Sequence, residues 1–110
     1  MAGIKKGADK RYDEIRAKML KVIKQKGLSE SFYILDLDNV HRRIDLWQHL
    51  LPRVELFFAA KALDDAEVFK AVVARGCGFD VASEQEMSKV MKNGGKADQM
   101  IFANPCKDVW

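Results

Sequence analysis

Apolar residues at Tyr12, Ile15, Met19, Val22 and Ile23 recur at intervals of three and four, which predicts an amphipathic helix over residues 9–26. Gly27 supplies its left-handed stop. The run Phe32-Tyr33-Ile34-Leu35-Asp36-Leu37 is rich in strand formers, and Asp38-Asn39 can cap a helix after it. That helix carries Val40, Ile44, Trp47 and Leu51 on one side and ends at Pro52.

Beyond Pro52 short apolar strands alternate with helices. The strands read Val54 to Ala60, Gly78 to Ala82 and Met100 to Ala103. The helices between them have legible ends: Asp64 with Glu67 and Ser83 with Glu86 fit capping boxes, while Gly76 and Asn93-Gly94 fit stops. Phe69, Val72 and Val73 in one helix, and Met87, Val90 and Met91 in the next, form the faces that pack on a sheet. The methionines read as core filler. A βαβαβ order means a parallel sheet, doubly wound or closed as a barrel. The expected fold class is therefore α/β, with these strands as the front of a doubly wound sheet or the first part of a (β/α)8 barrel. Such a barrel takes about 250 residues, so the sequence reads as the front of a larger protein whose strands, taken alone, would leave open edges prone to aggregation.

Composition narrows the class. The chain has 110 residues, 48% hydrophobic and 32% charged, as in a folded globular protein. No apolar run approaches the roughly 20 residues of a membrane span, and Met1 to Lys6 lacks a signal-peptide core, so the expected compartment is the cytoplasm with no membrane partner. The net charge of +3 is gathered in the first quarter, without the interleaved aromatics of a nucleic-acid surface, and a solvated helix face explains it. Cys77 and Cys106 are far apart with no companion histidines, which suggests two buried thiols and neither a disulfide framework nor a metal site. His41 and His49 lie two turns apart on one helix, too distant to chelate a metal as a pair, and read as surface or boundary residues.

Three polar residues fall at or just beyond the C-terminal ends of the strands: Lys61, Asp80 and Asn104. In a parallel barrel those ends converge on one face, where active sites form. A lysine there is a candidate Schiff-base former, and an acid leaving a buried strand calls for a cationic partner such as Lys61. Spacing alone leaves other readings open: a snorkelling surface lysine, a loop-capping aspartate, and a turn at Asn104-Pro105. The glycines form no nucleotide-phosphate loop, and two helical histidines build no nucleophilic triad.

Phe58-Ala59-Ala60-Lys61, then Gly76-Cys77-Gly78-Phe79-Asp80-Val81-Ala82-Ser83, then Ile101-Phe102-Ala103-Asn104-Pro105-Cys106-Lys107 occur in that order. Together with Phe32 to Leu37 and Leu51-Pro52-Arg53-Val54, they resemble the group IV pyridoxal-phosphate decarboxylases with the alanine-racemase-like barrel (fold type III), and among these the eukaryotic ornithine decarboxylases. The resemblance implies that Lys61 binds pyridoxal 5'-phosphate through its amine. It places Asp80 beside the cofactor, helping to position Lys61. The reaction implied is decarboxylation of a basic amino acid, ornithine to putrescine before lysine, arginine or diaminopimelate. It implies a homodimer whose sites form between subunits, and antizyme as a possible partner. The family's phosphate-binding, ring-stacking and substrate-binding residues fall beyond the matched motifs, so this stretch alone is expected to be inactive. The implied organisation is a helix and linker over residues 1–30, a strand of the β-domain and connecting helix over 31–52, and the first three βα units of the barrel over 53–110. One departure is Leu63, where the family has asparagine. Non-catalytic antizyme inhibitors share the fold, but Asp80 favours the enzyme, because those proteins are typically not acidic at its position.

Overall fold

Residues 10–107 are described in a computed structural model, in which the chain divides into two units between Ile34 and Leu35. In the first, helix α1 spans Lys10–Lys26. Asp13 in its first turn and Lys24 and Lys26 in its last complement the helix dipole. Gly27 takes φ 59° and ends it, as the sequence predicts. Asp9, expected as the first helical residue, lies outside the described residues, as do residues 108–110.

The second unit holds the sheet. Helix α2 spans Leu37–Leu50 and is capped by Asp36, whose carboxylate accepts from the Asn39 amide at 3.2 Å. The cap therefore precedes the Asp38-Asn39 pair expected to provide it. It also ends the strand expected over Phe32 to Leu37: residues 31–36 lie outside any strand, and Tyr33 is fully exposed. Backbone in a strand needs a neighbour to satisfy its hydrogen bonds, and no strand among the described residues pairs with this segment. After α2 the Trp47 indole donates to the Val54 carbonyl at 3.0 Å, closing the turn around Pro52.

Strands β1 (Phe57–Ala59), β2 (Gly78–Asp80) and β3 (Met100–Ile101) form a parallel sheet in that order. Phe58 pairs with Phe79, Ala59 with Asp80, and Asp80 with Ile101. Each strand is shorter than its apolar run. The crossovers between these parallel strands are made by α3 (Ala66–Ala74) and α4 (Glu84–Lys92). Gly76 at φ 67° follows α3 and Gly94 at φ 95° follows α4, both at the expected stops.

The core sits between the sheet and its helices. Phe58, Phe69 and Phe79 meet edge to face, with centroids 5.6 to 6.4 Å apart. Val68 and Val72 of α3, Val81 after β2, Val90 of α4 and Ile44 of α2 complete it. Met87 packs against this cluster, but Met91, expected beside it, is 57% exposed. Met91 follows Val90, and the α-helix turns it off the buried stripe.

Helix α2 is tied to the end of α3 by polar contacts. The Arg75 guanidinium makes a two-pronged pair with Asp45, and its Nε donates to His41 Nδ1 at 3.2 Å. Gln48 donates to the Arg75 carbonyl at 3.3 Å. Because Asp45 and Arg75 remain partly solvated, the pair contributes at most about 1 kcal/mol and mainly fixes the approach of the helices. His41 is half-buried and His49 exposed, in keeping with boundary and surface positions.

The cysteines differ from expectation in one respect: Cys77 is buried, whereas Cys106 is exposed. Cys106 stands in the loop after β3, outside the sheet and helices. Burial pushes the Cys77 thiol up from its ordinary pKa, partly offset by nearby Arg75. A raised pKa leaves less thiolate at neutral pH, and thiolate is the reacting form. Alkylation by iodoacetamide at pH 7.5 should therefore modify Cys106 at least tenfold faster than Cys77, with the Cys77 rate still climbing above pH 9; peptide mass spectrometry over time would measure both.

Candidate functional site at the C-terminal edge of the sheet

Each strand of the parallel sheet delivers one polar residue to the same end. After β1 the chain tightens into a 3-10 turn over Ala60–Ala62, so Lys61 stands on this turn and not at the end of the strand. Ala60 is buried and anchors the turn, while Lys61 is exposed. Asp80 is the last residue of β2 and is half-buried. Asn104 lies in the loop after β3, where its side-chain oxygen accepts from the Cys106 amide at 3.3 Å. In the same loop Lys107 donates to the Phe102 carbonyl at 2.8 Å and lies 4.7 Å from the Phe102 ring centroid.

Lys61, Asp80 and Asn104 line one pocket of about 290 Å³, together with Ala82 and Ala103. The three residues singled out in the sequence are thus brought together. The two alanines were not foreseen. Their small side chains leave the pocket unfilled, and no spacing pattern announces that role. Larger hollows lie elsewhere: one of about 620 Å³ between α2 and β1 and one of about 360 Å³ around Cys77 and Gly78, neither with a lysine, and one of about 370 Å³ along α4 that Lys89 and Lys92 border. None of them takes in Lys61, Asp80 or Asn104.

Local chemistry holds the loops in place. Asp65, one residue later than expected, caps α3 by accepting from the amides of Glu67 at 2.9 Å and Val68 at 3.2 Å. Asp64 instead pairs with Lys89 of α4. Of the expected Ser83 and Glu86 capping box one half forms: Ser83 Oγ accepts from the Glu86 amide at 3.2 Å, whereas the Glu86 carboxylate reaches one residue further back and accepts from the Ala82 amide at 2.7 Å. That second bond fixes a pocket residue two positions after Asp80.

The donor set suits an aldehyde cofactor. It offers an amine that can bond a carbonyl carbon, a carboxylate able to balance the resulting positive nitrogen, and an amide. No cluster of three metal-ligating side chains occurs among the described residues, and no described helix is long and apolar enough to cross a membrane.

Comparison with known proteins gives the same direction. The family described as pyridoxal-dependent decarboxylase, pyridoxal binding domain, matches residues 37–110. The Caenorhabditis elegans ornithine decarboxylase is 43% identical over 77 residues, 70% of this chain and 18% of that protein. The Drosophila melanogaster ornithine decarboxylase 2 is 38% identical over 99 residues, 87% of this chain and 25% of that protein. Among solved structures, the arginine decarboxylase of Paramecium bursaria Chlorella virus superposes with a TM-score of 0.80 at 30% identity, covering 84% of this chain and 25% of that one. The chain thus spans a quarter or less of the length of these relatives, as expected for the opening part of a pyridoxal-phosphate decarboxylase barrel. By a match over most of its length to the pyridoxal binding domain, the chain belongs to the pyridoxal-dependent decarboxylases.

Proposed function

We propose that Lys61 is the residue that binds pyridoxal phosphate and that the chain contributes this lysine to a decarboxylase of basic amino acids. The observation that supports the reading is one pocket holding an amine, a carboxylate and an amide in a member of this family. When bound, pyridoxal phosphate supplies the electron sink that takes up the pair left behind as carbon dioxide departs. Lys61 anchors it through its amine. Asp80, half-buried in the lining of the same pocket, balances positive charge on the nitrogen and orients it. Asn104 offers a neutral amide that can donate or accept without competing for charge. Ala82 and Ala103 line the pocket without filling it.

Ornithine, giving putrescine for polyamine synthesis, is the substrate we favour, on the strength of the two curated relatives; the arginine decarboxylase keeps the wider class of basic amino acids in view. A homodimer and recognition by antizyme belong to the same proposal, as do the division at residues 30 and 52 and residence in the cytoplasm. Two free cysteines suit a reducing compartment.

The site assignment is tested by adding pyridoxal phosphate to the chain, reducing with borohydride and mapping the adduct by peptide mass spectrometry. Lys61 should be modified ahead of the other lysines, and Lys61→Ala should remove that adduct with the rest unchanged. Capture spread evenly over surface lysines in the wild type would overturn the assignment.

A further inference from the structure

Helix α4 braces two of the three loops that border the pocket. At its N-terminus the Glu86 carboxylate accepts from the Ala82 amide, holding the loop that follows Asp80. Three residues further along, on the same side of the helix, Lys89 pairs with Asp64, in the loop that follows Lys61. Between Lys61 and Asp64 lie only the end of the 3-10 turn and Leu63, which is 46% exposed and offers no polar group to fasten the segment. The partners are 25 positions apart in sequence, so their contact ties the turn after β1 to the crossover after β2.

We infer that Lys89 is a positioning residue for Lys61: through Asp64 it holds the lysine-bearing turn in register with the Asp80 loop. The inference rests on the reading of Lys61 as the cofactor lysine. Lys89 makes no contact with the reacting amine in this role, and its effect passes through the backbone of residues 61–64. Both members of the pair are about half solvent-exposed, so the tie biases the turn and does not lock it.

The test is the rate of pyridoxal phosphate capture at Lys61, followed by borohydride quenching and peptide mass spectrometry, in the full chain and its variants. Lys89→Met and Asp64→Asn should each slow capture by about two- to fivefold, the range an exposed ion pair can supply. Lys89→Arg should stay near the wild-type rate, and the exchanged pair Asp64→Lys with Lys89→Asp should recover most of the loss. Raising the salt concentration should slow the wild type toward the Lys89→Met rate. Capture at the wild-type rate in Lys89→Met, or no recovery in the exchanged pair, would overturn the inference while leaving Lys61 as the cofactor lysine. A slower Lys89→Met in which buried Cys77 also becomes open to alkylation would reveal general loosening and overturn it as well. Wild-type chain that shows no preference for Lys61 would remove the reading beneath it.

Discussion

Phe79→Ala is expected to lower the free energy of unfolding by about 3–5 kcal/mol, the usual loss on truncating a buried aromatic. The side chain is fully buried at the centre of β2 and meets two rings edge to face, Phe58 of β1 at 6.3 Å and Phe69 of α3 at 5.6 Å. Truncation therefore forfeits the transfer energy of the ring and opens a cavity between the sheet and a helix. Against a typical domain stability of about 5–15 kcal/mol, such a loss leaves a substantial unfolded population. Phe79→Leu, which keeps most of the apolar volume, should cost less than half as much. Urea unfolding of the full chain followed by circular dichroism would give both values. A Phe79→Ala midpoint equal to wild type would mean that the aromatic cluster does not hold β2 in place. Phe79 immediately precedes Asp80, so the same variant should also slow cofactor capture at Lys61.

Gly78→Ala is expected to destabilise by about 1–3 kcal/mol, the usual cost of overpacking. A Cβ built at Gly78 would lie 2.4 Å from the Phe57 ring and 3.0 Å from the Gln99 carbonyl oxygen. Phe57 is the residue that pairs with Gly78 across the parallel ladder, and its ring occupies the space where a side chain would stand. The clash with a backbone carbonyl means that a turn of the Phe57 ring relieves only part of the crowding. Phe57→Ala placed in the same chain should therefore recover part of the loss, a coupling that a double-mutant cycle in urea would resolve. Losses that simply add would show that the ring is not the obstacle.

The features legible in the sequence are those set by neighbouring residues. Ser83 caps α4, and Gly27, Gly76 and Gly94 take the left-handed conformation that ends a helix, because cap and stop depend on a few consecutive positions. The order of strands and the shared edge of Lys61, Asp80 and Asn104 follow from the alternation of apolar runs with helices. What escaped the sequence depends on partners distant along the chain. Strand lengths are decided by pairing, so Val54 to Ala60 contributes only Phe57–Ala59 to the ladder. Phe32 to Leu37 has strand composition but lacks a neighbour among the described residues, and Asp36 serves as a helix cap instead. The Asp64 pair with Lys89 and the polar clamp of Arg75 on Asp45 and His41 join residues more than twenty positions apart, which no local pattern records.

Lys61 stands on a 3-10 turn, where three residues complete one revolution and successive side chains diverge by about 120°. Buried Ala60 sets the phase of that revolution. Most loops absorb insertions and deletions at small cost, but this one has no such latitude. One added residue between Ala59 and Lys61 would present a different side chain to the pocket and rotate the amine a third of a turn away. If Lys61 holds the cofactor as proposed, the length of this short segment is under the same constraint as the identity of the lysine, and descendants of this sequence would lose the site by a change of one codon in length as surely as by a change of the lysine itself.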